Sequence, residues 1–508
     1  MTLPTLITHN SPALTPLIFL LAAVIIPLAA YKKNRFAYPL AMAATVFALF
    51  ISIYNVLRVL DGGTIHYYFG GWLPPIGIEY VLDPLSAFVC LVINVVSFLV
   101  LVNAKAVVNR ELPEKTMPYF AVVMLMLSGF NGIVMTGDFF NLYVFLEISS
   151  LSLYGLIAVG ERKSPVAAFR YLIMGTVAGS FYLLGVGFLY MTTGSLNMAD
   201  IQKILPHVKD EPTVIVGLCL MVVGMGIKMA VFPMHGWMPD AYTYAPSSSS
   251  ALIAPVGAKI GVYVILRILF YIFGVTFVSK VIPLTGILAW LGAIAIIYGS
   301  VMAIAQREMK RMLAYSSVAQ IGYISLGIGL ANPLGMIGAV LHVMNHAFMK
   351  GLLFLVAGNY RTKLGHSDIF RFDHRIRKKM PWTTAAFTVG ALSMVGVPPT
   401  VGFFSKWYLA LGTIKNSAWL FLAVLLISSL LNAVYFFRIV EKVYMKPIAN
   451  PEDSSDEDTG RDEVTASMLW PTLVMAAALL VLGILNALVV KGLIMKMLPA
   501  VFSGFNGL

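Results

Sequence analysis

Charged side chains are scarce in this chain. Asp, Glu, Lys and Arg make up only 11% of its 508 residues, against roughly 25% in an ordinary soluble domain. Apolar residues make up 59%, and a soluble protein of this length would lack the polar surface to cover so large a core. Because only a lipid bilayer solvates so many apolar side chains, the composition excludes a soluble protein and predicts a membrane protein.

Cysteine is nearly absent as well. Cys90 and Cys219 each stand alone in an apolar stretch, and the chain has no CxxC motif and no cluster of Cys and His. Iron–sulfur clusters and structural zinc ions need several such ligands. We therefore expect no metal, no cofactor and no redox centre in this chain.

Long apolar segments follow one another along the sequence. A helix needs about 20 apolar residues to cross the hydrocarbon core, and by that rule we predict an all-α membrane protein with about 14 transmembrane helices. The spans begin near residues 12, 36, 82, 117, 138, 166, 213, 249, 281, 311, 333, 381, 418 and 467. Two connections stand out as loops outside the membrane, namely the Gly-, Pro- and aromatic-rich residues 61–80 and the acidic residues 450–463.

The net charge of +12 is concentrated on one face. With an even number of spans, the loops after odd-numbered spans share a face, and that face carries most of the basic residues. They include Lys32, Lys33, Arg35, Arg162, Lys163, Lys310, Arg311 and the run from Arg371 to Lys379. Basic loops face the cytoplasm, so we predict a multi-pass protein of the cell membrane with both termini outside the cytoplasm. The basic residues lie at a bilayer, and nucleic acid is not an expected partner.

Seven ionisable side chains remain inside apolar spans. They are Glu147 in span 5, Lys228 in span 7, Lys259 in span 8, His342, His346 and Lys350 in span 11, and Lys406 in span 12. Each charge costs roughly 2.5–3.5 kcal/mol at a helix centre, so the five charged groups facing lipid would together cost more than about 10 kcal/mol. They must face the bundle interior, pair with one another or be hydrated.

Two interpretations of these seven residues are open. Buried charges can specify helix packing as fixed pairs, or they can carry protons. Burial disfavours a charged lysine and a nearby carboxylate favours it, so Glu147 and Lys228 could exchange a proton as they approach and separate. The three polar residues of span 11 are spaced four apart and share one helix face, and histidine titrates near neutral pH. One acid, four lysines and two histidines on five helices favour a proton relay.

Glycine and proline interrupt two of the spans that carry these groups. The interrupting residues are Pro233, Gly236 and Pro239 in span 7 and Pro398, Pro399 and Gly402 in span 12. Broken helices at membrane depth occur where the backbone lines water or protein, and a pair of them in the two halves of a chain is typical of inverted-repeat transporters. We therefore predict two inverted five-helix repeats, spans 4–8 and 9–13, with spans 7 and 12 broken.

This pattern divides the chain into four parts. Residues 1–115 hold spans 1–3, residues 116–275 hold the first repeat, and residues 276–446 hold the second repeat. Residues 447–508 hold the acidic cytoplasmic linker and span 14.

Five stretches of the sequence carry a resemblance to a known family. They are VLDPLSAFV (81–89), TGDFFNLYVFLEISSLSLYGL (136–156), IKMAVFPMHGWMPDAYTYAPSSSSALIAPVGAKIGVY (227–263), KRMLAYSSVAQIGYI (310–324) and LHVMNHAFMKGLLFLVAG (341–358). Together with Lys406 they span residues from about 80 to 410, in the order of the family. The chain resembles the proton-translocating antiporter family, which includes the Mrp antiporter D subunit and the antiporter-like subunits of complex I and of membrane-bound hydrogenases.

The resemblance implies roles for the matching residues. It implies that Glu147 pairs with Lys228 and that Lys259 bridges to the second half of the chain. It further implies that His342 and His346 belong to the central axis and that Lys406 ends it. Protons would enter from one side, pass along this hydrated axis and leave on the other.

The function implied is proton translocation by one subunit of an Mrp-type or complex I-like assembly. Sodium coupling stays open, as does a peripheral hydrogenase or other iron–sulfur arm among the partners. A stand-alone carrier for an organic solute is the main alternative. A haem-binding subunit is disfavoured because both histidines lie on one turn of one helix, and a scaffold without transport is disfavoured by the intact series of charges.

Overall fold

The computed structural model describes residues 3–31, 34–160, 163–445, 460–502 and 504–505. In chain order the helices are α1 (Leu3–Ala30), α2 (Ala37–Gly62), α3 (Pro84–Glu111), α4 (Thr116–Met135), α5 (Phe139–Ala158), α6 (Ser164–Thr193), α7 (Met198–Val208), α8 (Pro212–Met229), α9 (Trp237–Tyr244), α10 (Ser247–Leu266), α11 (Leu284–Ile304), α12 (Met309–Gly329), α13 (Pro333–Leu364), α14 (Arg375–Lys379), α15 (Pro381–Val395), α16 (Val401–Lys415), α17 (Trp419–Tyr444), α18 (Ala466–Ile484) and α19 (Asn486–Gly492). Short 3₁₀ turns occupy Asn34–Phe36, Phe69–Gly71, Pro113–Lys115, Ile369–Arg371, Ile494–Met497 and Ala500–Phe502, and π-helical turns occupy Arg267–Ile272 and Phe277–Val281.

Twelve of the described helical segments are long and apolar enough to cross a membrane. A helix begins within a few residues of every predicted start except the first, where α1 begins earlier. The two predicted spans outside the set of twelve are α12 and the broken pair α15 and α16. The all-α membrane fold is therefore confirmed, whereas the count of about fourteen spans and the inverted repeats stay predictions.

The loop at residues 61–80 forms a hairpin. Strand β1 (Ile65–Tyr68) pairs antiparallel with β2 (Glu79–Leu82). Most of the predicted acidic linker cannot be compared in this way, because residues 450–459 lie outside the described part of the chain. Of the basic residues named above, Lys32, Lys33 and Arg162 also lie outside it.

Polar residues at the ends of apolar segments set where several helices begin. Asp83 accepts a hydrogen bond from the Ser86 amide at the start of α3, and Ser86 accepts one from the Asp83 amide. Asp138 and Asn332 accept amide hydrogen bonds at the starts of α5 and α13 in the same way. Such caps satisfy N–H groups that have no partner inside the helix.

Helices α10 and α13 form the centre of the bundle. In the most apolar window of α13 every residue is buried, and in that of α10 89% are buried, against 28% for α17. Four of the seven predicted site residues lie on these two central helices, so the fold holds them away from lipid.

The interruptions expected in the two Gly- and Pro-containing spans are present. Helix α8 ends at Met229, where Ala230 adopts a left-handed conformation with φ 59°, and the chain resumes as α9 at Trp237. Helix α15 ends at Val395 and α16 begins at Val401. Each break exposes helix ends next to a predicted site lysine.

Small residues let helices α11 and α12 approach closely. A methyl group added at Gly292 would lie 2.7 Å from both the carbonyl oxygen of Gly322 and the amide nitrogen of Leu326. Contacts this short would be to backbone, which cannot move aside as a flexible side chain can. Close helix approach through small residues is a general means of packing in membranes.

We expect Gly292→Ala to destabilise the protein by about 1–3 kcal/mol, because α11 and α12 must separate. The matched control is Gly286→Ala on the same helix, where an added methyl meets nothing within 4 Å. Thermal unfolding of the detergent-purified protein measures both variants. Equal unfolding temperatures for the two would contradict the close packing described here.

Candidate functional site

The structure gathers six of the seven predicted residues into the bundle interior. Lys228, Lys259, His342, His346, Lys350 and Lys406 are all buried, whereas Glu147 is half-buried. They lie on α5, α8, α10, α13 and α16, and their neighbours divide them into three groups. The first surrounds the end of α8, the second lies between α10 and α13, and the third surrounds the break between α15 and α16.

Lys228 is held by a hydroxyl group. Its Nζ donates a hydrogen bond of 2.6 Å to Oγ of Ser150, which in turn donates to the carbonyl oxygen of Leu146. Ser150 lies one turn after Glu147 on α5. Glu147 interacts electrostatically with Lys228, but among the described residues it forms no ion pair with the ammonium group.

The Glu147 carboxylate lies against helix α6. A methyl group added at Gly179 would clash with Oε1 of Glu147. The absence of a side chain at Gly179 therefore gives this carboxylate its place beside α6.

A cavity of about 20 Å³ adjoins Lys228. Its lining includes Ser149, Ser150, Tyr171 and Gly257. This volume is enough for a water molecule, so a water can join the polar groups of α5 to Lys228.

The end of α8 favours the Lys228 ammonium group. Lys228 lies in the last turn of α8, where the carbonyl oxygens give the helix end a partial negative charge. The indole N–H of Trp237, the first residue of α9, donates to the Ile227 carbonyl oxygen at 2.9 Å. The break thus places the lysine at a helix end and closes that end with α9.

Lys259 lies between the two halves of the bundle. Its Nζ donates to the Ala254 carbonyl oxygen of its own helix at 2.8 Å. Its charge acts on His342, His346 and Lys350 of α13. The bridging role that the resemblance implies for Lys259 stays a prediction.

His342 has a partner at each ring nitrogen. Nε2 lies 2.9 Å from Oε1 of Gln320, and Nδ1 lies 2.9 Å from Oγ of Ser405. A neutral imidazole with its proton on Nε2 can donate to the glutamine and accept from the serine. His342 therefore connects α13 to α12 and to α16.

His346 differs from His342 because neither of its ring nitrogens has a protein partner among the described residues. The two rings stack with their centroids 5.9 Å apart. Buried polar atoms are satisfied by water when protein groups do not reach them.

Lys350 and Lys406 are held by carbonyl and hydroxyl oxygens. Lys350 donates to the Leu313 carbonyl oxygen at 2.7 Å and to Oγ of Ser316. Lys406 donates to the Met394 and Val395 carbonyl oxygens, each at 3.0 Å. These last two oxygens have no hydrogen bond within the helix because α15 ends at Val395, so the break supplies the acceptors of Lys406.

Lys310 is a buried lysine that sequence reasoning assigns to the basic loops. Its side chain is 1% exposed, and its Nζ donates to the Ala245 carbonyl oxygen at 2.6 Å. Because Lys310 lies beside Arg311 in a charged run, a search for isolated charges inside apolar spans does not select it. No pattern in the sequence marks it, because its acceptor Ala245 lies 65 residues away in the chain.

The chain is similar to several proteins of one family. A family model described as NADH:quinone oxidoreductase/Mrp antiporter, TM matches residues 136–432. The N subunit of NADH-quinone oxidoreductase from Desulforudis audaxviator is 48% identical over 85% of this chain and 87% of that protein. The D subunit of the Na⁺/H⁺ antiporter from Alkalihalophilus pseudofirmus is 28% identical over 87% of each protein.

Solved structures of membrane complexes contain chains of similar fold. A chain of the membrane-bound sulfane sulfur reductase, an archaeal respiratory membrane complex, matches with a TM-score of 0.88 at 30% identity, covering 96% of each chain. A chain of the Mrp complex from Dietzia matches with a TM-score of 0.84 at 23% identity, covering 95% of this chain and 96% of that one.

We expect Ser150→Ala to destabilise the protein by about 1–3 kcal/mol, because the buried Lys228 ammonium loses its hydroxyl acceptor. Ser152→Ala is the matched control, since Ser152 lies on the same helix and binds only the Ile148 carbonyl oxygen. Thermal unfolding in detergent compares the two. A smaller effect for Ser150→Ala than for Ser152→Ala would argue against the Lys228–Ser150 bond.

Proposed function

Because the chain belongs to the NADH:quinone oxidoreductase/Mrp antiporter family, we propose that it translocates protons within a multisubunit complex of the cell membrane. It is an antiporter-like subunit of the kind present in Mrp and complex I-like assemblies. Its partners are other membrane subunits. Family membership alone does not identify the transported ion or the residues that carry it, and these are the content of the proposal.

The proposal rests on one observation, namely which atoms accept the hydrogen bonds of the buried lysines. Lys228, Lys259, Lys350 and Lys406 bind hydroxyl and carbonyl oxygens, and in the described residues none of them binds a carboxylate. An ammonium group held by neutral acceptors can release its proton without leaving a buried carboxylate unpaired. Such lysines suit a proton relay better than fixed pairs that only specify packing.

A buried ion pair near α10 shows the contrast. The Arg267 guanidinium binds both carboxylate oxygens of Asp83. Arginine stays protonated in proteins, so this pair is a fixed structural contact between α3 and the end of α10. The lysines of the site have neither a permanent charge nor a carboxylate partner.

Protons would pass between the two breaks along the central helices. A proton on Lys228 is favoured by Glu147 and by the end of α8, and its transfer towards Lys259 leaves Lys228 neutral. Lys259 then acts on the α13 residues His342, His346 and Lys350, since a positive charge disfavours protonation of its neighbours. Lys406 ends the series at the second break, where carbonyl oxygens of α15 accept its hydrogen bonds.

The surroundings of Lys228 disfavour transport of an organic solute through this part of the bundle. The cavity there has about 20 Å³, whereas pockets for organic ligands have roughly 300–1,000 Å³. A larger cavity of about 580 Å³ lies at one end of the bundle, but none of the seven predicted residues lines it.

A redox-driven complex is favoured over a gradient-driven one. Identity to the N subunit of the oxidoreductase is 48%, against 28% for the D subunit of the antiporter. Purification of the tagged chain from native membranes in mild detergent tests this choice. Co-purifying iron–sulfur subunits would support a redox arm, and small hydrophobic antiporter subunits without redox proteins would support an Mrp-type complex instead.

Membrane orientation and the division of the chain belong to the same proposal. We place the face with Lys163, Arg361 and the run Arg371 to Lys379 in the cytoplasm because basic loops stay inside. Both termini then lie outside the cytoplasm, and residues 116–275 and 276–446 form the two repeats. Protease protection of tags at each terminus in oriented vesicles tests the orientation.

We expect Lys228→Ala and Glu147→Gln to lower proton translocation by roughly 100-fold or more, because each removes a positioned proton carrier. The complex is reconstituted into vesicles, and a pH-sensitive dye reports proton movement with and without sodium. A requirement for sodium would identify Na⁺/H⁺ exchange. Controls are Lys203→Ala at an exposed lysine and Glu114→Gln at an exposed glutamate. Wild-type transport in an assembled Lys228→Ala complex would overturn the proposed relay.

We expect Gly179→Ala to lower translocation by roughly 10-fold to 100-fold, because the added methyl displaces the Glu147 carboxylate from its position. Stability changes little, since the group that must move is the end of a flexible side chain. Gly187→Ala on the same helix is the control, as its added methyl meets nothing within 4 Å. Identical transport by the two variants would show that the position of Glu147 is unimportant.

A further inference from the structure

A large polar cavity opens on the basic face of the protein. It has about 580 Å³ and lies where the ends of α3, α9 and α13 meet the starts of α10 and α12. Its charged lining residues are Arg110, Glu111, Lys163, Glu308 and Arg361. Burial and the nearby Arg371 guanidinium lower the pKa of His366, which also lines it, so this imidazole is neutral near pH 7.

The floor of this cavity is the junction of α9 and α10. Tyr244, Ala245 and Pro246 line it. On the cavity side the Glu111 carboxylate accepts from the Ser247 amide at 2.8 Å and from its hydroxyl at 2.7 Å. On the buried side the Lys310 ammonium donates to the Ala245 carbonyl oxygen at 2.6 Å. One short piece of backbone therefore separates a water-facing acid from a buried base.

Lys310 also lies near the start of α12, the helix whose residues bind Lys350. Lys350 donates to the Leu313 carbonyl oxygen and to Ser316. These two residues lie about one and two turns further along α12, which corresponds to roughly 5 and 9 Å along the axis. Lys310 and the two residues that bind Lys350 therefore lie within about 9 Å of one another along the axis of one helix.

The neighbouring Arg311 has a different environment. Its guanidinium forms an ion pair with Asp240 at 3.1 Å. Lys310 instead binds a neutral carbonyl oxygen, and the charges that act on it, Glu308, Arg361 and Glu111, belong to the cavity lining. Two adjacent basic residues thus differ in kind, one in an ion pair with a carboxylate and the other bound to a neutral carbonyl oxygen.

We propose that Lys310 is a further proton carrier and that the cavity above it is the opening through which the central axis exchanges protons with the basic face. The inference rests on the proposed function. The neutral Lys310 amine takes a proton from water that enters from the cavity, forming an N–H bond as an O–H bond breaks. The same nitrogen then gives the proton to water next to Lys350. Charge and atoms balance, and no other reactant is involved.

A structural role is the competing explanation, because Lys310 also ties α12 to the α9–α10 junction. Lys310→Arg separates the two roles. Arginine keeps the positive charge and the donor to Ala245 but does not release its proton in a protein. Lys310→Gln keeps a donor without the charge, and it covers the case in which the larger guanidinium does not fit.

The test uses the whole complex in vesicles, with proton translocation and assembly measured for each variant. We expect Lys310→Arg and Lys310→Gln to assemble and to lose translocation by roughly 100-fold. Transport restored by Lys310→Arg, or retained by an assembled Lys310→Gln complex, would overturn the inference. If Lys228→Ala also has wild-type transport, the proposed function fails; if Lys228→Ala is inactive while the Lys310 variants transport, only the role of Lys310 fails.

A second measurement tests the opening itself. Thr243 lines the cavity, and Thr243→Cys offers a thiol to a membrane-impermeant, bulky methanethiosulfonate reagent added on the basic face. We expect modification to block translocation, whereas the same reagent leaves the parent protein, with Cys90 and Cys219, unaffected. Complete modification of Thr243→Cys without loss of transport would show that protons do not pass through this cavity.

Discussion

The free-energy cost of burying a charge inside a membrane protein determines how this structure holds its lysines. An ammonium group at bilayer depth needs acceptors, and most carbonyl oxygens of an intact helix are already bonded within it. The chain meets this need at helix ends, with serine hydroxyls and, for Lys259 and Lys350, with carbonyl oxygens inside α10 and α12. Lys406 binds the last two carbonyl oxygens of α15, Lys310 binds the residue after α9, and Lys228 lies in the last turn of α8.

The breaks in these spans therefore have a chemical role as well as a structural one. A continuous helix through residues 381–415 would use the Met394 and Val395 carbonyl oxygens in its own hydrogen bonds and would leave Lys406 without them. Serine adds an acceptor for three of the lysines, since Ser150, Ser316 and Ser429 accept from Lys228, Lys350 and Lys406. Neutral oxygens hold a lysine while leaving it free to change its protonation state.

Two partly buried arginines are held differently. Arg267 and Arg311 are paired with Asp83 and Asp240, and both pairs lie at the ends of helices. Arginine keeps its charge, so each carboxylate partner is a permanent part of the fold. These two ion pairs differ from the lysines of the site, whose neutral acceptors suit proton transfer.

The sequence by itself determined the membrane class, the approximate limits of the helices, the two interruptions and the seven ionisable residues inside the spans. Each of these depends on a local run of residues, so hydropathy, Gly and Pro are sufficient. The tertiary structure decided what each residue contacts. Lys228 binds Ser150 in it, and among the described residues no ion pair joins Lys228 to Glu147, although the resemblance implied one. Lys310 is buried although the sequence assigns it to a basic loop, and His342 joins Gln320 to Ser405. Such contacts join residues far apart in the chain, and only the packing of α9, α10, α12, α13 and α16 brings them within reach.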